Sequence, residues 1–151
     1  MENLKATDIM IKNVLTVTED TPVKEVAKMF AENRIGGAPV VQGKIVVGMI
    51  TEDDLIMQDV KVHFPTYIHF LDSFIYLGSL KRFEQELRKA VGARAKDVMS
   101  KEVVSVNEND SVEDIATLMV DKRINRVPVL RKGELVGIVT KGDIVRAISR
   151  T

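Results

Sequence analysis

The chain has 151 residues, is 45% hydrophobic, and carries 22 basic against 22 acidic side chains. That size fits one compact domain or two small halves sharing a core, and the apolar fraction excludes disorder. Zero net charge argues against a general nucleic-acid binder, whose affinity comes from summed positive charge, and a sequence without cysteine excludes disulfide frameworks and thiolate metal sites.

Residues 1–10 carry charges and no apolar run, so they do not read as a secretory signal. Val14–Val17 is a short β-branched strand candidate. Glu19-Asp20-Thr21-Pro22 reads as a helix start, with Pro22 suited to the first turn. Val23, Val26, Ala27 and Phe30 then recur at helical spacing. Two strands follow, Ala38–Val41 and Ile45–Ile50, joined at Gly43-Lys44, and a helix begins at Thr51.

The segment between Met57 and Lys96 reads as an insertion with two helices, Thr66–Leu77 and Ser79–Val91. Tyr67–Leu77 is its most apolar part, interrupted by His69, Asp72 and Ser73, and too short to span a bilayer. His63 and His69 are six apart, which is not a helical ligand pair, and they read as packing residues.

The earlier pattern then repeats. Val103–Val106 is a strand candidate, and Glu108-Asn109-Asp110-Ser111 starts a helix carrying Val112, Ile115, Ala116 and Met119. Strands Val127–Leu130 and Leu135–Val139 turn at Lys132-Gly133, and a last helix begins at Thr140. Asp8-Ile9-Met10 matches Asp97-Val98-Met99, Arg34-Ile35 matches Arg123-Ile124, and Pro39-Val40 matches Pro128-Val129, always at an offset of 89. A register held without a gap from Asp8 to Asp54 marks a duplication. The expected fold is α+β, two pseudo-twofold-related βαββα repeats at 1–60 and 96–151, with the helical insertion at 61–95. A unit of this size is marginal alone, so the halves should share a core and form two related clefts.

One motif stands out for chemistry: Gly48-Met49-Ile50-Thr51-Glu52-Asp53-Asp54, repeated as Gly137-Ile138-Val139-Thr140-Lys141-Gly142-Asp143. Thr followed three residues later by Asp at a helix start is close to a capping box. The same groups suit a nucleotide: Gly permits close approach, the first helical turn offers N–H groups to phosphate, and Asp accepts from ribose hydroxyls. Glu52-Asp53-Asp54 also has a Mg²⁺ reading, though acid at a helix N-terminus explains it more simply. Met10 and Met99 are expected to fill core gaps. No nucleophile with an adjacent base and orienting group is visible, so the chain is not expected to be an enzyme.

The repeat resembles the CBS domain, and the tandem pair resembles a Bateman module. The resemblance rests on Arg34-Ile35-Gly36-Gly37-Ala38-Pro39-Val40 with the Gly48–Asp54 motif, and on Arg123-Ile124-Asn125-Arg126-Val127-Pro128-Val129 with the Gly137–Asp143 motif. It implies a homodimeric regulatory module binding AMP, ADP, ATP or S-adenosylmethionine between its repeats; the chain's own residues, without a signal-like or spanning segment, lead to the expectation of a cytoplasmic protein with no cofactor and no metal. It further implies that Asp54 and Asp143 hold ribose hydroxyls and that Thr51 and Thr140 contact ribose or phosphate. Thr16-Val17 and Ser105-Val106 would lie against adenine, with backbone around Ala38-Pro39 and Val127-Pro128 completing the base pocket. Arg126 would contact phosphate. Gly37 stands in its place in the first copy, so unequal sites are expected. Arg34 and Arg123 end helices, where a cation is favoured. The competing expectation is a ligand-free interaction module acting through the insertion and dimer surface, with an unidentified protein partner. Neither membrane nor nucleic-acid binding is expected.

Overall fold

The computed structural model describes residues 3–57 and 92–151. The two insertion helices, His63 and His69 lie outside them. The first repeat contains α1 (Ala6–Ile9), α2 (Val23–Asn33), β1 (Gly37–Gln42), β2 (Ile45–Thr51) and α3 (residues 52–57). The second contains α4 (Ala95–Val98), β3 (Val106–Asn107), α5 (Val112–Lys122), β4 (Arg126–Arg131), β5 (Glu134–Thr140) and α6 (Lys141–Ser149).

In each repeat an antiparallel hairpin, β1–β2 or β4–β5, carries the register: Ala38 opposes Ile50 and Val127 opposes Val139. A bulge follows Val40 in the first hairpin and Val129 in the second. The Lys132-Gly133 turn has positive φ at both residues, 50° and 80°, as a type I′ hairpin requires; in the other turn only Gly43 is positive, at 62°. The leading strands are much shorter than Val14–Val17 and Val103–Val106. Val17 makes a single parallel bridge to Val40, and β3 spans two residues parallel to β4. The residues before them leave the sheet because the chain is crossing to the other repeat.

The helices follow the apolar spacing. Val26 and Phe30 of α2 are buried, as are Val112, Ile115 and Met119 of α5; burying each such side chain contributes roughly 1.5–3 kcal/mol. Ala27, expected on the apolar face, is exposed. Ser111 caps α5 by accepting from the Asp114 N–H at 3.1 Å, whereas Pro22 stands at the α2 N-cap position without a side-chain bond. Arg34 and Arg123 are the C-caps, both left-handed, with φ 53° and 56°. The following N–H groups, of Ile35 and Ile124, reach back to the Phe30 and Met119 carbonyls and close both helix ends.

The two short helices α1 and α4, which periodicity did not reveal, explain the duplicated Asp-Ile/Val-Met motif. Asp8 accepts the Lys5 N–H and Asp97 the Arg94 N–H, each at 2.8 Å, so each aspartate fastens the start of one helical turn. Each of these turns docks on the opposite repeat. The Ala6 N–H donates to Asp110 and the Val112 N–H to Leu4; 89 positions on, Ala95 donates to Thr21 and Val23 to Ala93. Ile11 and Ile138 exchange N–H···O bonds of 2.8 and 3.0 Å, and Met49 and Ser100 do the same at 2.9 Å both ways. One core therefore gathers Ala6, Leu4, Ile9 and Met10 around Val112, Ile115, Val127 and Val139, and the other gathers Ala95, Val98 and Met99 around Val26, Phe30, Val40 and Ile50. Exchange of the leading segments is how two marginal halves become one folded unit.

Candidate functional site

Thr51 and Thr140 each end a hairpin and open a helix. The Thr140 N–H and hydroxyl donate to Asp143 Oδ2 at 2.8 and 2.9 Å, and the Asp143 N–H returns to the hydroxyl at 3.3 Å, a complete capping box. The Thr51 N–H and hydroxyl meet Asp54 Oδ2 at 2.8 and 3.2 Å. Capping is thus present in both copies, and what distinguishes them is the surroundings.

At Thr51 the exchanged segment closes a cavity. Met49 and residues 51–54 form one wall with Gly36; Ser100, Glu102 and Val104 of the crossing segment form another; Arg123, Ile124, Asn125 and Arg126 supply the third. The volume is about 300 Å³, at the small end of ligand pockets. Four polypeptide stretches from both repeats therefore face one space.

Arg126 leads the second repeat's hairpin, and its half-buried guanidinium lies along Gly36-Gly37. A Cβ on Gly37 would stand 2.8 Å from its Cζ, and one on Gly36 would stand 2.9 Å from Nη2. Gly37 occupies in the first copy the position Arg126 occupies in the second, so the two equivalent positions share one space and only one of them carries a side chain. Burial pushes the Arg126 guanidinium below its usual range, and the negative charges of Glu52 and Asp53 oppose that shift.

Asp54 and Asp143 differ. Asp143 is 6% exposed, and its second oxygen is paired with Arg146 one turn along α6. In the first copy the place of Arg146 is taken by Met57, which has no donor, and Asp54 is half-buried. At Asp143, Arg146 competes with any other donor for that oxygen.

Of the residues singled out from sequence, the cavity brings together Thr51, Asp54 and Arg126. Thr140 and Asp143 stand at the equivalent position of the other repeat. Val17, Ala38, Pro39, Val106, Val127 and Pro128 are buried in the two repeats' interiors and do not line this cavity, and Thr16 and Ser105 are exposed beside them. Ser100, Glu102 and Val104 were not anticipated. Their only signal was indirect: they follow the duplicated Asp-Val-Met, whose crossing brings them against the first repeat.

Gly48 and Gly137 turn out to serve packing. A Cβ on Gly48 would lie 2.6 Å from the Met99 sulfur and 2.9 Å from the Ser100 carbonyl oxygen; Gly137 faces Met10 and Ile11 in the same way. The close approach expected there is made by the exchanged methionine. Among the described residues no cluster of His, Cys, Asp and Glu is arranged to hold a metal ion, which leaves Glu52-Asp53-Asp54 without a metal-site geometry, and no helix is long and apolar enough to cross a membrane.

The duplicated arrangement corresponds to a known one, as the CBS domain model matches residues 6–60 and again 95–150. The chain belongs to the CBS-domain family. This CBS pair is 32% identical to protein MJ1426 of Methanocaldococcus jannaschii, across 93% of this chain and 89% of that protein. It superposes on CBSX2 in complex with AMP with a TM-score of 0.76 at 24% identity, covering 98% of each chain. It also superposes on the CBS domain pair of MJ0100 in complex with 5′-methylthioadenosine and S-adenosyl-L-methionine, with a TM-score of 0.71 at 23% identity and 97% of each covered. Those two likenesses establish the CBS-pair fold.

Proposed function

We propose that this CBS pair is a regulatory module that binds an adenine-containing small molecule, AMP, ADP, ATP or S-adenosylmethionine, in the cleft between its repeats. The observation that carries the reading is the convergence of Arg126 from one repeat with Thr51 and Asp54 from the other on one cavity. Each has a role there. Asp54 accepts from ribose hydroxyls. The Thr51 hydroxyl and the N–H groups opening α3 meet ribose or phosphate. Arg126 meets phosphate, and Met49, Val104 and Ile124 offer apolar surface to the base. The complexes of CBSX2 with AMP and of MJ0100 with S-adenosyl-L-methionine support this ligand class.

The role is regulatory because the ligand would touch both repeats and the segment crossing between them. Its differential affinity for two arrangements of the repeats is the energy available to shift them. The same reading includes a homodimer. Val120, Val145 and Ile148 stand 71%, 63% and 52% exposed on α5 and α6, apolar area that a second copy would cover.

The test is thermal denaturation of wild type and Asp54→Ala with AMP, ADP, ATP, S-adenosylmethionine and GTP, each variant referred to its own unliganded midpoint. A ligand at 100 times its Kd adds about 2.7 kcal/mol, which is a shift of several degrees in wild type. Asp54→Ala should lose most of it. If no adenine compound moves wild type, the ligand-binding reading fails; a shift undiminished in Asp54→Ala moves the site elsewhere.

A further inference from the structure

The cavity at Thr51 has a charge pattern that capping and folding do not require. Four carboxylates line it, Glu52, Asp53, Asp54 and Glu102, against two guanidiniums, Arg123 and Arg126. The residues at the equivalent positions of the other repeat are Lys141, Gly142, Asp143, Asn13, Arg34 and Gly37. There, one carboxylate stands with two cations. The two sets have opposite net sign although the backbone that carries them repeats.

Helix initiation favours acids at 52 and 53 but does not require them. The equivalent helix α6 opens with Lys141-Gly142 and keeps a complete capping box between Thr140 and Asp143. Nor does core packing, since Glu52 and Asp53 are exposed. What they do face is Arg126. The Arg126 Nη2 and the Glu52 carboxyl carbon lie 2.9 and 3.3 Å from the point where a Gly36 Cβ would stand, so cation and carboxylate converge over that glycine. The guanidinium that would greet a phosphate already feels the negative charge of Glu52 and Asp53, without a direct ion pair to either.

Resting on the reading of this cleft as an adenine-ligand site, we infer that Glu52 and Asp53 are its specificity-determining residues, acting as a charge filter. The cleft takes an adenine ligand with one phosphate, none, or a compensating sulfonium, and rejects polyphosphates. One phosphate finds the Arg126 guanidinium. Each further phosphate enters a region of net negative charge, with Asp54 and Glu102 adding to the repulsion. The small volume of the cavity acts in the same direction.

The variant that tests this copies the other repeat: Glu52→Lys with Asp53→Gly, two exposed positions whose replacements the fold already accepts 89 residues away. Wild type and variant are titrated calorimetrically with AMP and with ATP, in EDTA at low salt. Wild type is expected to bind AMP more tightly than ATP, and the variant to raise the ATP-to-AMP affinity ratio by about tenfold or more, since it adds three units of positive charge at close range. The rise should shrink at high ionic strength, as a charge effect must. Adding Glu102→Asn should raise the ratio further. A wild type that prefers ATP, or a variant ratio unchanged from wild type, overturns the filter while leaving the adenine site standing. Failure of both AMP and ATP to bind either protein, with no response to any adenine compound in the thermal panel, overturns the ligand reading and the filter with it.

Discussion

The methyl group of Gly48→Ala should be among the most damaging single additions to this chain, although Gly48 lies in a regular strand. Built at that position, a Cβ lies 2.6 Å from the Met99 sulfur, 3.0 Å from its Cγ and 2.9 Å from the Ser100 carbonyl oxygen. The methionine is a flexible side chain and can retreat. The carbonyl cannot, because Ser100 and Met49 hold each other by two backbone hydrogen bonds of 2.9 Å. The methyl is about 0.5 Å too close for an ordinary C···O approach, so the crossing segment must be pushed off β2. Overpacking of this kind costs about 1–3 kcal/mol, and weakening the two hydrogen bonds adds up to about 1 kcal/mol each. The expected loss is about 2–4 kcal/mol by urea denaturation. Gly43→Ala is the control: nothing lies within 4 Å of its Cβ, but its φ is +62°, so it should lose only about 1 kcal/mol for the left-handed backbone. Met99→Ala combined with Gly48→Ala should cost less than the two separately, because the sulfur clash is then absent. A Gly48→Ala protein as stable as Gly43→Ala, or strictly additive costs with Met99→Ala, would refute the close-approach argument.

Two further outcomes follow from the surface. Arg131 donates to both Glu108 oxygens at 2.8 Å, and this bond holds the Glu108 carboxyl below its ordinary range. A folded-state value below the unfolded one stabilises at pH above the unfolded value, about 4.3 for Glu, and that contribution disappears as pH falls through the lower folded value. The stability difference between wild type and Arg131→Gln should therefore be flat at neutral pH, vanish in acid and shrink with salt; a difference that persists in acid would mean the pair acts by packing. The proposed homodimer is checked by sedimentation of wild type and Val145→Asp: a charge that dimerisation would bury should yield monomers, and an unchanged mass would remove Val145 from the interface.

Much of the hairpin and helix framework was legible because it is local. The strands fall within a residue or so of Ala38–Val41, Ile45–Ile50, Val127–Leu130 and Leu135–Val139, since β-branched runs bounded by Gly43 and Lys132-Gly133 specify a hairpin from their own residues. The short leading strands misled for the opposite reason. Val14–Leu15 and Val103–Val104 look like strand residues, but backbone around them is committed to the crossing, so only Val17 and Val106-Asn107 pair in a sheet.

For the site, residue types at 51, 54 and 126 were readable from the duplicated motif and the family it resembles. That Thr51, Asp54 and Arg126 share a cavity was not readable, because the partnership crosses from one repeat to the other. The sequence by itself determined the duplication, the two hairpins, the caps and the unequal residues at 37 and 126, all properties of neighbouring residues or of a fixed offset. Only the tertiary structure decided that each leading segment docks on the opposite repeat, that Gly48 and Gly137 exist for Met99 and Met10, and that Arg126 lies on Gly37 beside Glu52 rather than in solvent. Those outcomes depend on burying apolar surface neither half can bury alone, a non-local free energy that no spacing along the chain records.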